Sequence, residues 1–347
     1  MRRIKKGSAI LLAAALVFSA LALPKAYAAV GVETDRTDCK ITINVPTEGF
    51  KELKDLSIPV ELYKVADIGV GAEYTLTTDF NTANLKGIES VNSTTSTEEW
   101  TTFAAEAKII VDDRKEAENA LATTKTGTIN SGTVTIEGIP VGLYLVDVQT
   151  TPSSTYEYSF IPYLISLPNN YYKEGVAGTT DTWEYELTGT KALGLKPEKN
   201  HRLGNLKINK ALDEYNETLG GATFVFQVEA TKLDVDASTS EPAEVVYSNV
   251  VALTYTGPGT QSVVIEDIPA GADVTITEIY TGASYQLKAG AVNPQTTKII
   301  ADKTVEVTFE NTNNDGLNGG SSIVNAFSYG SNGWTCSQIP SIDASQE

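Results

Sequence analysis

"QSVVIEDIPAGADVTITEI", residues 261–279, holds two apolar strand-like runs separated by an Ile-Pro-x-Gly turn. In the second run Val274, Ile276 and Glu278 share one phase, and Asp273, Thr275 and Thr277 the other. A period of two is the signature of a half-buried β-strand. "GTVTIEGIPVGLYLVDV", residues 132–148, repeats the design, so one strand–turn–strand unit is used twice. The later copy also poses a chemical question, because it aims Glu278 at its own apolar face. An unpaired buried charge costs several kcal/mol, so that carboxylate must be neutralised, paired or used.

The flanking strands supply partners. In "NLKINKAL" Leu206, Ile208 and Lys210 share a phase, and in "VEVTFENT" Val305, Val307, Phe309 and Asn311 do. An amine, a carboxyl and an amide, on the first, a middle and the last strand, thus converge on one core. Burial disfavours both charged forms, lowering the lysine and raising the glutamate. A neutral Lys210 is then a nucleophile, Asn311 an acceptor, and a protonated Glu278 the catalytic acid and proton shuttle. The product is an isopeptide bond that ties first strand to last, closing a loop of about 100 residues and worth roughly 4–5 kcal/mol. The same residues also admit an ordinary Lys210–Glu278 ion pair, with Asn311 capping a turn.

Thr, Val, Ile and Tyr are plentiful, with Gly and Pro between short runs, which predicts an all-β chain of two immunoglobulin-like sandwiches. Residues 37–192 form the first, from "CKITINVP" onward, with a helical insertion over about 97–123. There Trp100, Phe103, Ala104, Ala107 and Val111 keep helical spacing, and Ser96 with Glu99 makes a capping box. Residues 193–203 are expected as a linker, 204–313 as the second sandwich, and the Gly/Asn/Ser-rich 314–347 as a largely irregular tail.

The first 28 residues read as a secretory signal peptide: four cations, an apolar run and Ala26-Tyr27-Ala28. Without them 21 Lys+Arg face 44 Asp+Glu, a net charge of −23. Such a field argues against nucleic-acid or membrane-surface partners, and the mature chain is expected to have no membrane span. Two cysteines exclude a disulfide framework, although they allow one Cys39–Cys336 bridge, within or between chains. His201 is alone in the expected linker, no cluster suggests a metal, and no cofactor is expected.

"NLKINKAL…GGATFVF", "AGADVTITEIYTGASY" and "VEVTFENT" resemble the collagen-adhesin B-type (Cna-B) domain of Gram-positive surface proteins and pilins. By that match Lys210 is the nucleophile, Glu278 the acid of the E-box and Asn311 the acceptor. "VELYKVADI", "IPVGLYLVDV", "FIPYLISLP" and "WEYEL" resemble the first domain of Gram-positive pilus backbone subunits. Asp147 stands near an E-box position there, but Lys40 points outward, so no cross-link is assigned to this domain. The resemblance implies a secreted cell-surface or pilus subunit, not an enzyme beyond its single-turnover cross-link. Other pilin or surface subunits and a sortase are the implied partners. Lys191, Lys196 and Lys199 are the candidate intermolecular linkage lysines in place of the shaft-pilin motif. The sequence shows no Leu-Pro-x-Thr-Gly signal, so the chain is expected to be attached non-covalently, joined to a partner through another feature of the tail, or released. The rival reading is a secreted adhesin that recognises host matrix protein or glycan through the aromatics of "YEYSFIPYL", "NNYYKEG" and Trp334, without polymerising.

Overall fold

A computed structural model describes residues 31–92, 94–115, 120–170, 183–216, 220–237, 241–314, 324–330 and 333–339. The expected signal peptide therefore lies outside the described residues. Two compact units divide the chain. The first takes residues up to Pro46, Leu53–Gln149 and Ser159–Pro197, and the second takes Thr47–Glu52, Thr150–Tyr158 and everything from Glu198 on. No described helix is long and apolar enough to cross a membrane.

In the first unit, β1 (Cys39–Asn44) buries Cys39, Ile41 and Ile43 on alternate positions. It pairs with β3 (Thr133–Ile139) and, in parallel, with Glu186–Leu187 and Leu193–Gly194. A second sheet pairs β2 (Ile58–Ile68), β4 (Gly142–Val148) and β5 (Tyr163–Leu167), all antiparallel. The Ile-Pro-Val-Gly turn between β3 and β4 carries the chain from one sheet to the other. Helix α1 (Thr97–Arg114) starts at the capping box: Ser96 Oγ accepts from the Glu99 N–H at 3.2 Å, and Glu99 Oε2 from the Ser96 N–H at 2.7 Å. Its stripe of Trp100, Ala104, Ala107 and Val111 packs on Leu143, Leu145 and Leu164. The helix stops at Arg114, short of the expected 123; the run beyond Ala120 is rich in Thr, whose branched side chains suit the extended backbone found from Lys125.

The second unit is a sandwich of two four-stranded sheets. One holds β6 (Leu203–Leu212), β9 (Gly259–Pro269), β11 (Tyr285–Leu287) and β13 (Thr304–Asn313), in the order β9-β6-β13-β11. The other holds β7 (Ala222–Lys232), β8 (Glu244–Tyr255), β10 (Asp273–Tyr280) and β12 (Gln295–Lys298), in the order β8-β7-β10-β12. The first and last strands of the sandwich, β6 and β13, are parallel neighbours in continuous register from Asn205↔Thr304 to Leu212↔Asn311. Here too the Ile-Pro-Ala-Gly turn switches sheets, with Gly271 at φ +81°, a conformation that suits glycine. The two units thus share a four-strand plan: β1, β3, β2 and β4 are paired as β6, β9, β7 and β10 are.

Three expectations need correction. The boundary between the units falls after Pro197, inside the expected linker 193–203, but the stretch is structured: Leu193, Leu195 and Pro197 alternate inward, Pro197–His201 is a strand, and β6 begins at Leu203. The tail contains a hairpin of β14 (Val324–Gly330) and β15 (Gly333–Ile339), with the rings of Tyr329 and Trp334 5.2 Å apart and tilted by 58°. No disulfide forms: both cysteines are free, Cys39 fully buried on the inner face of β1 and Cys336 exposed in the hairpin. A thiol enclosed in a core cannot reach a partner chain either.

A buried amine, carboxyl and amide in the second sandwich

The alternation of β6 places Leu206, Ile208, Lys210 and Leu212 on one inward row. Parallel pairing puts Lys210 beside Phe309, and Asn311 one inward step further along β13. From the facing sheet, β10 contributes Glu278 after Val274 and Ile276. Lys210 and Asn311 are 0 % exposed and Glu278 4 %, so the structure brings all three sequence-derived residues into one dry site.

Lys210 Nζ lies 3.0 Å from Glu278 Oε1, and the Asn311 amide donates to the same oxygen at 3.1 Å. The Lys210–Glu278 approach is close but poorly directed as a hydrogen bond. Lys210 Nζ, Glu278 Oε2 and Asn311 Oδ1 are each buried without a well-aligned partner. Leaving such groups unmatched costs about 1–3 kcal/mol apiece, which makes the cluster expensive as it stands. Aromatic walls surround it: Phe224 sits 4.5 Å from Nζ, and Phe226 packs on Phe309 at 5.1 Å.

Burial is the dominant influence on both titrating groups. It pushes Lys210 below the usual lysine range, only partly offset by the Glu278 charge. It pushes Glu278 above the usual carboxylate range against the pull of Lys210 and the Asn311 hydrogen bond. Both shifts favour the neutral amine and the protonated acid.

Two supporting residues escaped the sequence reading. Tyr255, 1 % exposed, donates to the Lys210 carbonyl and accepts from the Gln261 N–H at 3.0 Å. Asn293 grips the Glu278 peptide: its Oδ1 accepts from the Glu278 N–H at 2.9 Å and its Nδ2 donates to the Glu278 carbonyl at 2.9 Å. Tyr255 ends an alternating strand and reads as core; Asn293 lies in a turn with no period to mark it.

The other candidates are held differently. Asp147 is buried, but it faces α1 and lies 3.5 Å from Lys108 Nζ and 3.7 Å from Lys115 Nζ, while Gln149 donates to it at 3.0 Å. Those lysines are part-exposed, and Lys40 pairs with Glu137 at 2.9 Å, so this carboxylate has ion-pair partners and no enclosed amine. Lys191 pairs with Glu184 at 2.5 Å, Lys196 is half-buried, and Lys199 is held by Asp234 at 3.2 Å and Asp236 at 2.6 Å. His201 is not alone: its Nδ1 lies 3.0 Å from Lys232 Nζ and its ring 4.7 Å from that of Tyr156. Of the aromatics considered for binding, Tyr156 and Tyr158 are buried, Trp334 is half-buried, and "NNYYKEG" starts in described Asn169–Asn170 but otherwise lies outside the described residues.

A family model described as "Domain of unknown function (DUF5979)" matches residues 206–314, which span the whole cluster. No curated protein matches the chain. Among solved structures, the minor pilin GBS52 of Streptococcus agalactiae is 17% identical, over 82% of this chain and 100% of that one, with a TM-score of 0.23. A streptococcal ancillary pilin is 13% identical, over 88% of this chain and 83% of its own, with a TM-score of 0.23. The major pilin T-13 of Streptococcus pyogenes is 13% identical, over 82% and 100%, with a TM-score of 0.22. The chain is thus similar to pilins of Gram-positive bacteria.

Proposed function

We propose that the chain is a secreted structural subunit of a Gram-positive cell-surface or pilus fibre, whose second sandwich locks itself with an amide between Lys210 and Asn311. The observation that carries this reading is the enclosed cluster with its three unmatched polar atoms. Proton transfer from Lys210 to Glu278 leaves a neutral amine and a neutral acid, the pair that burial favours. The Nζ lone pair attacks Asn311 Cγ while Glu278 donates to Oδ1, stabilising the developing oxyanion. The proton released by Nζ passes through Glu278 to Nδ2, the Cγ–Nδ2 bond breaks, and ammonia leaves. In the product the new N–H and C=O both face the Glu278 carboxyl, so the three unmatched atoms acquire partners in one step. Each chain turns over once, and Glu278 is returned unchanged.

The sequence-derived secretory leader and the resemblance to Cna-B domains support the extracellular setting. Association with other subunits of such a fibre, through a sortase and one of Lys191, Lys196 or Lys199, belongs to the same proposal; Lys199, tied into two carboxylates, is the poorest of the three. Intact mass under reducing conditions tests the cross-link. The chain should weigh about 17 Da less than its sequence, one ammonia, and Glu278→Ala should not. An unmodified wild-type mass would leave Glu278 as an ion-pair partner only.

A further inference from the structure

The edge of β10 at Glu278 has an unusual construction. Pairing with β12 runs from Asp273↔Lys298 to Ile276↔Gln295 and stops. Continued in the same register, it would set Thr277 against Pro294 and Glu278 against Asn293. The ladder goes no further: β12 begins at Gln295, directly after Pro294, whose ring fixes its own φ and restricts the residue before it. On the other edge, β10 slips against β7: Phe226 is opposite Glu278 but Val225 is opposite Tyr280, leaving Ile279 as an extra residue. A bulge re-aims the side chains beside it and loosens the local pairing. Glu278 therefore sits where one ladder has ended and the other is irregular. There Asn293 substitutes its side-chain amide for the missing strand, meeting both the N–H and the C=O of Glu278 at 2.9 Å.

We propose that Asn293 is a positioning residue for cross-linking: by extending the ladder with its side chain it fixes the Glu278 peptide beside the bulge and so holds the carboxyl between Lys210 and Asn311. This rests on the amide-forming reading above and adds to it a residue that touches none of the reacting atoms. Nζ–Cγ still forms and Cγ–Nδ2 still breaks, with ammonia leaving; Asn293 sets only where the proton carrier stands. An ångström of misplacement at such a centre costs about 100-fold in rate.

The test uses the full chain without residues 1–28, sampled by intact mass from short induction onward and during incubation after purification. Wild type should be fully cross-linked on isolation. Asn293→Ala should be isolated with a fraction at full mass that loses about 17 Da at a rate about 10- to 100-fold slower. Asn293→Asp keeps the acceptor for the Glu278 N–H and loses the donor to its carbonyl, so it should fall between the two and guards against a misfolded Asn293→Ala. Melting temperatures in a Glu278→Ala background separate positioning from stability. If Asn293→Ala lowers stability there while both single variants are isolated fully cross-linked, Asn293 is structural only and the proposal is overturned. A wild type at full mass would overturn the cross-link itself.

Discussion

Replacing Lys210 by methionine together with Glu278 by glutamine separates the two readings of the buried cluster by sign. Methionine fits the channel between Phe224 and the aliphatic residues of β6 at nearly the lysine volume, and it removes both the nucleophile and the unmatched Nζ. The Glu278→Gln change keeps an amide N–H to donate to Asn311 Oδ1 and an oxygen to accept from its Nδ2, so no charge is left unpaired. If the native chain carries the amide, the variant loses a closure of about 100 residues, about 4.7 kcal/mol in the chain-entropy account. With unfolding entropy near 2.1 cal/mol/K per residue over about 110 residues, the transition of the second unit should fall by about 20 °C. If instead the cluster is a plain ion pair, replacing both charged partners by uncharged groups of like volume is neutral or stabilising by about 1–4 kcal/mol, whereas removing one partner alone is destabilising. Scanning calorimetry of wild type and the Lys210→Met/Glu278→Gln variant, with masses measured on the same samples, decides the matter. A melting temperature unchanged or raised in the variant would refute the covalent reading.

In Asn311→Ala the bond cannot form and Lys210 stays a titrating amine. Its folded value lies below the unfolded one, near 10.4, so the unfolded state binds more protons between the two and the variant gains stability as pH rises toward 10.4. If wild type has consumed that amine in the amide, the stability gap between the proteins narrows from pH 7 to pH 10; a constant or widening gap in denaturant melts would contradict it. Burial raises the Cys39 thiol to about 11, and the native chain should therefore label with a maleimide at Cys336 only, one adduct by mass, until denaturant exposes the second.

The cluster was legible because strand alternation is strict and β6, β10 and β13 each have one wet and one dry face: Lys210, Glu278 and Asn311 are out of place only against such a background. Asp147 resisted the same reasoning because β4 is covered on both faces, by α1 and by the sandwich interior, so all seven residues of GLYLVDV are buried and no phase stands out. The stretch 193–203 hid its Leu193-x-Leu195-x-Pro197 rhythm among lysines, glycines and prolines that ordinarily punctuate a junction. In the tail, Gly, Asn and Ser masked the alternation that lets Phe327 and Tyr329 pair with Cys336 and Trp334. Asn293 could not be foreseen at all, since it acts through a side chain that imitates backbone, and that depends on where another strand ends.

The parallel neighbourhood of β6 and β13 also fixes how much slack the second unit can release. The chain enters at Leu203 and leaves at Asn313, at opposite ends of two strands in register. Without a covalent tie, about 110 residues could be drawn out to roughly 370 Å of contour. With Lys210 joined to Asn311, the continuous path runs through eight residues of β6, the new amide and the last three of β13. Drawn straight, those backbone pieces span only about 40 Å, close to the length they already have as strands. A filament of such units would behave as an almost inextensible tether, with everything from Ala211 to Glu310 carried as a side loop off the line of tension.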